Sequence, residues 1–346
     1  MSLSKQFIQN PVPDLQHGLS LIEMMVALAV SAILLLGVTT VYTSSKRSYQ
    51  VTEEFSDIQE NARFALHFLS RNIRMAGFTG CSSLKSMSAN NTTGNDNYKF
   101  EDETSITGFA AASAEGVPDG GTPVGTAAIS IRKATACSAQ VTGTTNGNKT
   151  VQFTNSNCNF AQNDLVIVTD CESADIFQNN NNPQGAANAD DPNQSGPGSL
   201  TSTAGLSKSY GSSAYVFKFE NLSYFLMNDA TNGNRPTLYK TENGTTEALV
   251  PNVEDLAIKY GVDTNGDNSV DTIRDDAAAV GANNWNTVLN VYIHLLVRSD
   301  PVGDGTNGFP FSFNGTVHNS ANDNLINDGR YRKEFVTSIA LRNRIP

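Results

Sequence analysis

Leu19-Ser20-Leu21-Ile22-Glu23-Met24-Met25-Val26-Ala27-Leu28-Ala29-Val30-Ser31-Ala32-Ile33-Leu34-Leu35-Leu36-Gly37-Val38 is the most apolar stretch of the chain, and the rest is read from it. Continued to Val41 as a helix, it measures about 35 Å at 1.5 Å per residue, which spans a bilayer. No later stretch approaches this. A secretory signal peptide is the ordinary alternative, and three features oppose it. The run exceeds the length of a signal h-region. No small-x-small cleavage site follows; Tyr42-Thr43-Ser44-Ser45-Lys46-Arg47 comes next. Glu23 also sits near the start of the run, and an unpaired carboxylate in hydrocarbon is costly enough to mark a function by default.

Moving outward, the apolar residues change from continuous to periodic. Val51, Phe55, Ile58, Ala62, Ala65, Phe68, Leu69, Ile73 and Ala76 follow steps of mostly three and four, the face of an amphipathic helix. No proline lies between Pro13 and Pro118, so the spacing predicts one continuous helix from Leu19 to Ala76. Gly37, Thr39 and Thr40 are its weakest point by propensity, and Gly77 and Gly80 are its expected stops.

Beyond Gly80 the pattern is that of strands. Ala127–Lys133, Thr150–Phe153, Leu165–Thr169, Ala214–Phe219, Leu222–Met227, Val253–Gly261, Val288–Arg298 and Phe335–Arg342 are short runs rich in β-branched residues, separated by Gly, Asn, Asp and Pro. The segment from about 178 to 213 is Asn-rich and low in hydrophobicity, and reads as a long surface loop. Charged residues are only 16% of the 346, below the roughly 25% of an average globular chain. Asn, Thr, Ser and Gly fill the gap, as in loop- and strand-rich extracytoplasmic proteins. The net charge of -11 opposes a general nucleic-acid binder, which needs a basic face.

The junction His17-Gly18-Leu19-Ser20-Leu21-Ile22-Glu23 resembles the prepilin processing motif of type IV pilins and type II secretion pseudopilins. Asn61-Ala62-Arg63-Phe64-Ala65-Leu66-His67-Phe68-Leu69-Ser70-Arg71-Asn72-Ile73-Arg74-Met75-Ala76-Gly77-Phe78-Thr79-Gly80-Cys81 resembles the PilW-type minor pilins, as do Tyr260–Thr264 and the closing run Arg332–Arg344. The resemblance implies cleavage after Gly18 by a prepilin peptidase and methylation of the new N-terminus, Leu19. It gives Glu23 a role in assembly. The implied fold is α+β and type IV pilin-like: a long N-terminal helix, membrane-spanning in its first half, packed on a β-rich globular head. The implied divisions are a leader at 1–18, a transmembrane half-helix at 19–41, an amphipathic half-helix at 42–77 and a periplasmic head at 78–346. Loop charge read alone, with Lys46 and Arg47 against Lys5, would place the body on the cytoplasmic side. The cleavage motif and the cysteines indicate the opposite.

The four cysteines, Cys81, Cys137, Cys158 and Cys171, all follow the membrane segment. An even count in an exported domain suggests two disulfides, with three connectivities open. Cys81–Cys137 with Cys158–Cys171 is favoured, because the second pair closes a short loop. Asp263-Thr264-Asn265-Gly266-Asp267-Asn268-Ser269-Val270-Asp271 has the alternating oxygen side chains of a calcium loop. Asp263, Asn265, Asp267 and Asp271 would ligate with the Ser269 carbonyl. Asn268 replaces the turn glycine and Arg274 the bidentate acid, so a plain turn is the other reading. The four histidines form no ligand spacing. Gly303-Asp304-Gly305-Thr306-Asn307-Gly308 is followed by no helix signal, so it fails the dinucleotide-binding context. No catalytic constellation emerges, and no enzyme activity is expected.

The function this implies is that of a minor pilin. Held in the inner membrane by a single pass, it primes type IV pilus assembly in a minor-pilin complex and takes a place at or near the tip, supporting twitching motility or adhesion. Its partners are other minor and major pilins, the prepilin peptidase and the inner-membrane assembly machinery. A type II secretion minor pseudopilin and a membrane-tethered periplasmic binding or adhesive protein are the competing readings.

Overall fold

The computed structural model describes residues 20–80, 84, 87, 89–114, 116–117, 123–154, 156–183, 198–302, 309–319, 326 and 328–344. Helix α1 (Leu21–Arg74) is continuous over 54 residues. The chain divides into two compact units within it, between Glu53 and Glu54. In the second unit α1 buries Ile58, Ala62, Ala65, Leu69 and Ile73, one stripe of the amphipathic face. The helix ends where Gly77 adopts a positive φ of 73° that side-chain-bearing residues rarely take, and its N–H donates to the Arg132 carbonyl at 2.9 Å.

Seventeen described strands follow: β1 (Ala89–Asn91), β2 (Ile106–Phe109), β3 (Pro123–Ala134), β4 (Ala139–Thr145), β5 (Thr150–Thr154), β6 (Leu165–Thr169), β7 (Ala174–Gln178), β8 (Gly198–Thr201), β9 (Tyr215–Asp229), β10 (Arg235–Glu242), β11 (Thr245–Pro251), β12 (Val253–Val262), β13 (Thr272–Arg274), β14 (Val288–Arg298), β15 (Phe311–Phe313), β16 (Thr316–His318) and β17 (Arg332–Ala340). The short helix α2 (Ala277–Val280) lies between β13 and β14. Strand β9 is the spine of the largest sheet. Its first residues pair with β4 and β6, and its later ones with β3 and β10. A second sheet runs β13-β12-β14-β17, and β15 and β16 form a hairpin.

The stripe of α1 joins Ile131, Leu226, Leu256, Ile293 and Ile339 in one core. A separate cluster, with Val141, Phe153, Val168, Phe177 and Val216, fills the part of the head built on β4 to β8. Beside this cluster Asp175 is fully buried. It accepts hydrogen bonds from Asn90 Nδ2 at 2.7 Å, Ser207 Oγ at 2.7 Å and Tyr210 OH at 2.6 Å. Burial and then the Asp175 carboxylate push the Tyr210 phenol above its ordinary range. Part of the expected 178–213 loop is therefore built structure. Strand β8 pairs with β5, and Leu206 and Tyr210 are buried.

Candidate anchoring and assembly segment

The first part of α1 carries the features the sequence singles out. From Leu21 to Val41 its apolar side chains face outward; Leu21 is 78% exposed and Leu34 63%. Such a surface, apolar all round, is stable in lipid or against other apolar helices and not in water. Among the described residues α1 is the one helix long and apolar enough to cross a membrane. Glu23 lies in its first turn, with its N–H donating to the Ser20 carbonyl at 3.0 Å. An acid there complements the helix dipole. Gly18 and Leu19 lie outside the described residues.

The expected weak point does not break the helix. Thr39 Oγ1 donates to the Leu35 carbonyl at 2.7 Å, Thr40 Oγ1 to Gly37 at 2.8 Å and Thr43 Oγ1 to Thr39 at 2.9 Å. Each hydroxyl is thus satisfied within the helix, which is what an apolar solvent demands. At Gly37 a Cβ would meet nothing within 4 Å, so this glycine serves no close packing among the described residues.

One expectation about the head is corrected. The disulfide joins Cys137 to Cys158 across a Cα–Cα distance of 5.1 Å, so neither favoured pair forms. The cause is the β4–β5 hairpin: Cys137 lies just before β4 and Cys158 shortly after β5, and pairing the strands brings their outer ends together. Cys171 is disulfide-bonded as well, and Cys81 lies outside the described residues.

The acidic loop is closed by its own hydrogen bonds. Asp263 accepts from the N–H groups of Asn265, Gly266 and Asn268 at 3.1, 2.6 and 2.9 Å. Asn265 Nδ2 donates to both Asp267 and Asp271 at 3.2 Å, and Asp271 accepts from Thr264 N and Oγ1 at 2.8 Å. Burial pushes the Asp263 carboxyl up, but the backbone N–H groups outweigh it and hold the group below its usual range. No group of three or more His, Cys, Asp or Glu side chains among the described residues is placed to hold a metal ion. The loop is a self-satisfied turn between β12 and β13.

With this geometry in view, residues 14–39 match the prokaryotic N-terminal methylation motif, and residues 223–343 match type IV pilus-assembly protein W. A region similar to type IV pilus-assembly protein W thus follows a stretch similar to the prokaryotic N-terminal methylation motif. Among solved structures, a type IV-like pilin from Thermus thermophilus is similar at 11% identity, with 83% of this chain and 97% of that one covered and a TM-score of 0.34. No curated protein sequence matches.

The matched region, 223–343, supplies much of the core around α1. Tyr224 is fully buried and accepts a hydrogen bond from Asn72 Nδ2 of α1 at 2.6 Å. At the far end of that region Asn343 Nδ2 reaches the carbonyls of Met75 and Ala76, just past α1, at 3.3 and 3.0 Å. The next residue, Arg344, is 2% exposed. It donates to the carbonyls of Trp285, Val288 and Asp102 and to Ser105 Oγ, and pairs with the Asp102 carboxylate at 3.3 Å. Burial pushes its guanidinium down to about 10 despite the opposing Asp102 charge. Sequence reasoning missed this clamp. An Asn and an Arg after the last strand read as solvated ends, and only the fold shows the carbonyls converging on them.

Proposed function

We propose that this chain is a minor pilin that primes type IV pilus assembly. Prepilin peptidase cuts after Gly18, Leu19 becomes the methylated N-terminus, and the first part of α1 holds the subunit in the inner membrane with its head in the periplasm. The subunit then joins other minor and major pilins and stays at or near the tip, where it supports twitching motility or adhesion. The observation that carries this reading is an outward-facing apolar helix with a carboxylate in its first turn.

After cleavage, the Leu19 amine keeps its positive charge through methylation. Both that amine and Glu23 are costly in hydrocarbon when alone, and pairing offsets much of the cost. The amine of one subunit meets Glu23 of its neighbour, which sets the axial register of the helices. A pair within one subunit would give no register. Glu23→Ala is therefore expected to be processed normally but to recruit its partners poorly, and Glu23→Asp to be partly tolerated. The experiment is complementation of a deletion strain, scoring surface pili and co-purification of the other minor pilins. Normal pili with Glu23→Ala would refute the register role.

A further inference from the structure

The side of α1 opposite its buried stripe carries charge in a fixed order. Asp57 and Glu60 come first, Arg71 and Arg74 last, and all four are exposed. Each acid lies fourteen residues before an arginine, Asp57 before Arg71 and Glu60 before Arg74. Fourteen residues are about 3.9 helical turns, so the two rows share one face and stand about 21 Å apart along the axis. The same step separates Lys46 from Glu60 and Glu53 from His67 in the sequence. Among the described residues, Asp57, Glu60, Arg71 and Arg74 have no ion-pair partner.

The helix dipole accounts for arginines in the last turn but not for two acids in mid-helix. The pattern is complementary to itself instead. Two such helices, parallel and level, set Asp57 against Asp57 and Arg71 against Arg71, and like charges repel. Shifted by fourteen residues, they set acid on arginine at both positions, Lys46 on Glu60 and Glu53 on His67. Phe64, 48% exposed between the two rows, gives this face an apolar centre.

We infer that the exposed ridge of α1 docks a second copy of this chain, parallel to the first and shifted by about 21 Å, with the Asp57–Glu60 row of one copy on the Arg71–Arg74 row of the other. The parallel direction rests on the membrane anchoring proposed above, since helices inserted by the same end run the same way. Copies level in one bilayer are kept apart by the ridge, and a copy displaced along the axis pairs. One row stays unused at each end of the pair, so further copies add by the same contact. The neighbour whose amine meets Glu23 is shifted by only one turn, about 6 Å, and is therefore a different subunit.

The test uses the full chain in membranes of its own cells. Ser56 and Ser70 of α1 are neutral and also fourteen residues apart. One tagged copy carries Ser56→Cys and another Ser70→Cys, and the described residues hold no free native thiol. A thiol crosslinker of about 10 Å matches the spacing of packed helices. It is expected to join Ser56→Cys to Ser70→Cys at least about fivefold more than Ser56→Cys to itself, the yield of several weak surface pairs acting together. Asp57→Arg with Glu60→Arg in the first copy should abolish the link. Arg71→Glu with Arg74→Glu in the second copy should then restore it. All four changes lie on the exposed face and should leave the melting of the head unchanged. Absence of the link would overturn the inference, as would a link that survives the first reversal or is not restored by the second. Ser56→Cys copies joined to each other as strongly would mark level helices, overturning the inference while the anchoring stands. A stronger link from Ser56→Cys to Met75→Cys would mark antiparallel copies and overturn the inference and the anchoring together.

Discussion

Leu34 and Leu69 lie on the same helix, one 63% exposed and the other fully buried. Both are good helix formers, so propensity does not separate them. Their surroundings in sequence do. Around Leu34 the apolar residues are continuous and the helix is apolar on every side. Around Leu69 they return every three or four residues, leaving the opposite face to Arg63, His67, Arg71 and Arg74. A helix apolar all round needs a solvent or neighbour that is apolar all round, whereas a stripe needs only one packed face. The head meets the second demand, and no described residue buries the apolar side chains from Leu21 to Val41 to meet the first. The two parts of α1 are built for different solvents, and the change is written in periodicity rather than in composition.

The sharpest way to break this comparison is to place one charge in each part. Leu69→Asp should cost the head about 5 kcal/mol or more, enough to unfold many domains of ordinary stability. Leu34→Asp should leave the melting of the head unchanged and weaken retention in the membrane. Thermal unfolding in detergent and membrane fractionation give the two readouts. Equal losses of head stability would end the distinction.

Removing the disulfide has a smaller expected effect. Cys137 and Cys158 are 21 residues apart and tether the hairpin beside the second cluster, away from the stripe of α1. The double Cys→Ser variant should lose about 2–3 kcal/mol in denaturant melts. Amides of the β4–β5 hairpin should open before those of α1 at Leu69. Simultaneous opening would show that the two clusters form one cooperative unit.

The smallest effect is expected at the acidic turn. Its carboxylates are already held by loop N–H and amide groups, so millimolar calcium should leave the melting temperature unmoved. Acid should act instead. Asp263 and Asp267 are both held below the usual carboxylate value of 3.8. Their contribution is present above that value and is lost as pH falls through the lowered one. Amide signals of Gly266, Asn268 and Ser269 should therefore shift only in strong acid. A calcium-dependent rise in melting temperature would restore the metal reading of this loop.

How much of this was legible follows from the signals each element carries. The helix and its two faces were, because 3.6-residue periodicity survives over many turns. The expected bounds of β6 and β14 match, since Val166–Thr169 is an unbroken β-branched run and β14 alternates Val291, Ile293, Leu295 and Val297 with Asn290, Tyr292, His294 and Arg298. Strand β9 reads as two pieces because Glu220 and Asn221 interrupt the apolar run. In the fold Glu220 pairs with Lys133, and Asn221 N donates to Asn243 Oδ1, so the strand continues through them. The β10–β11 hairpin had a signal that went unused. Asn243 and Gly244 sit between the strands with positive φ of 49° and 89°, a pair that favours tight hairpin turns. The cysteine pairing failed for a related reason: β4 is Ala-Gln-Val-Thr-Gly-Thr-Thr, too polar to be read as a strand, and without it the hairpin joining Cys137 to Cys158 is invisible. The place of β17 at the end of the β13-β12-β14-β17 order could not be read at all, because strand order is a property of the whole chain.

The central claim is that the apolar part of α1 begins at a processed N-terminus and carries this chain into pili. Intact-mass and N-terminal peptide measurements on pili sheared from cells test it most directly. The account predicts a chain that starts at Leu19, methylated on its amine, among the sheared subunits. A chain found only in the cell body, still beginning at Met1 or starting anywhere other than Leu19, would contradict it.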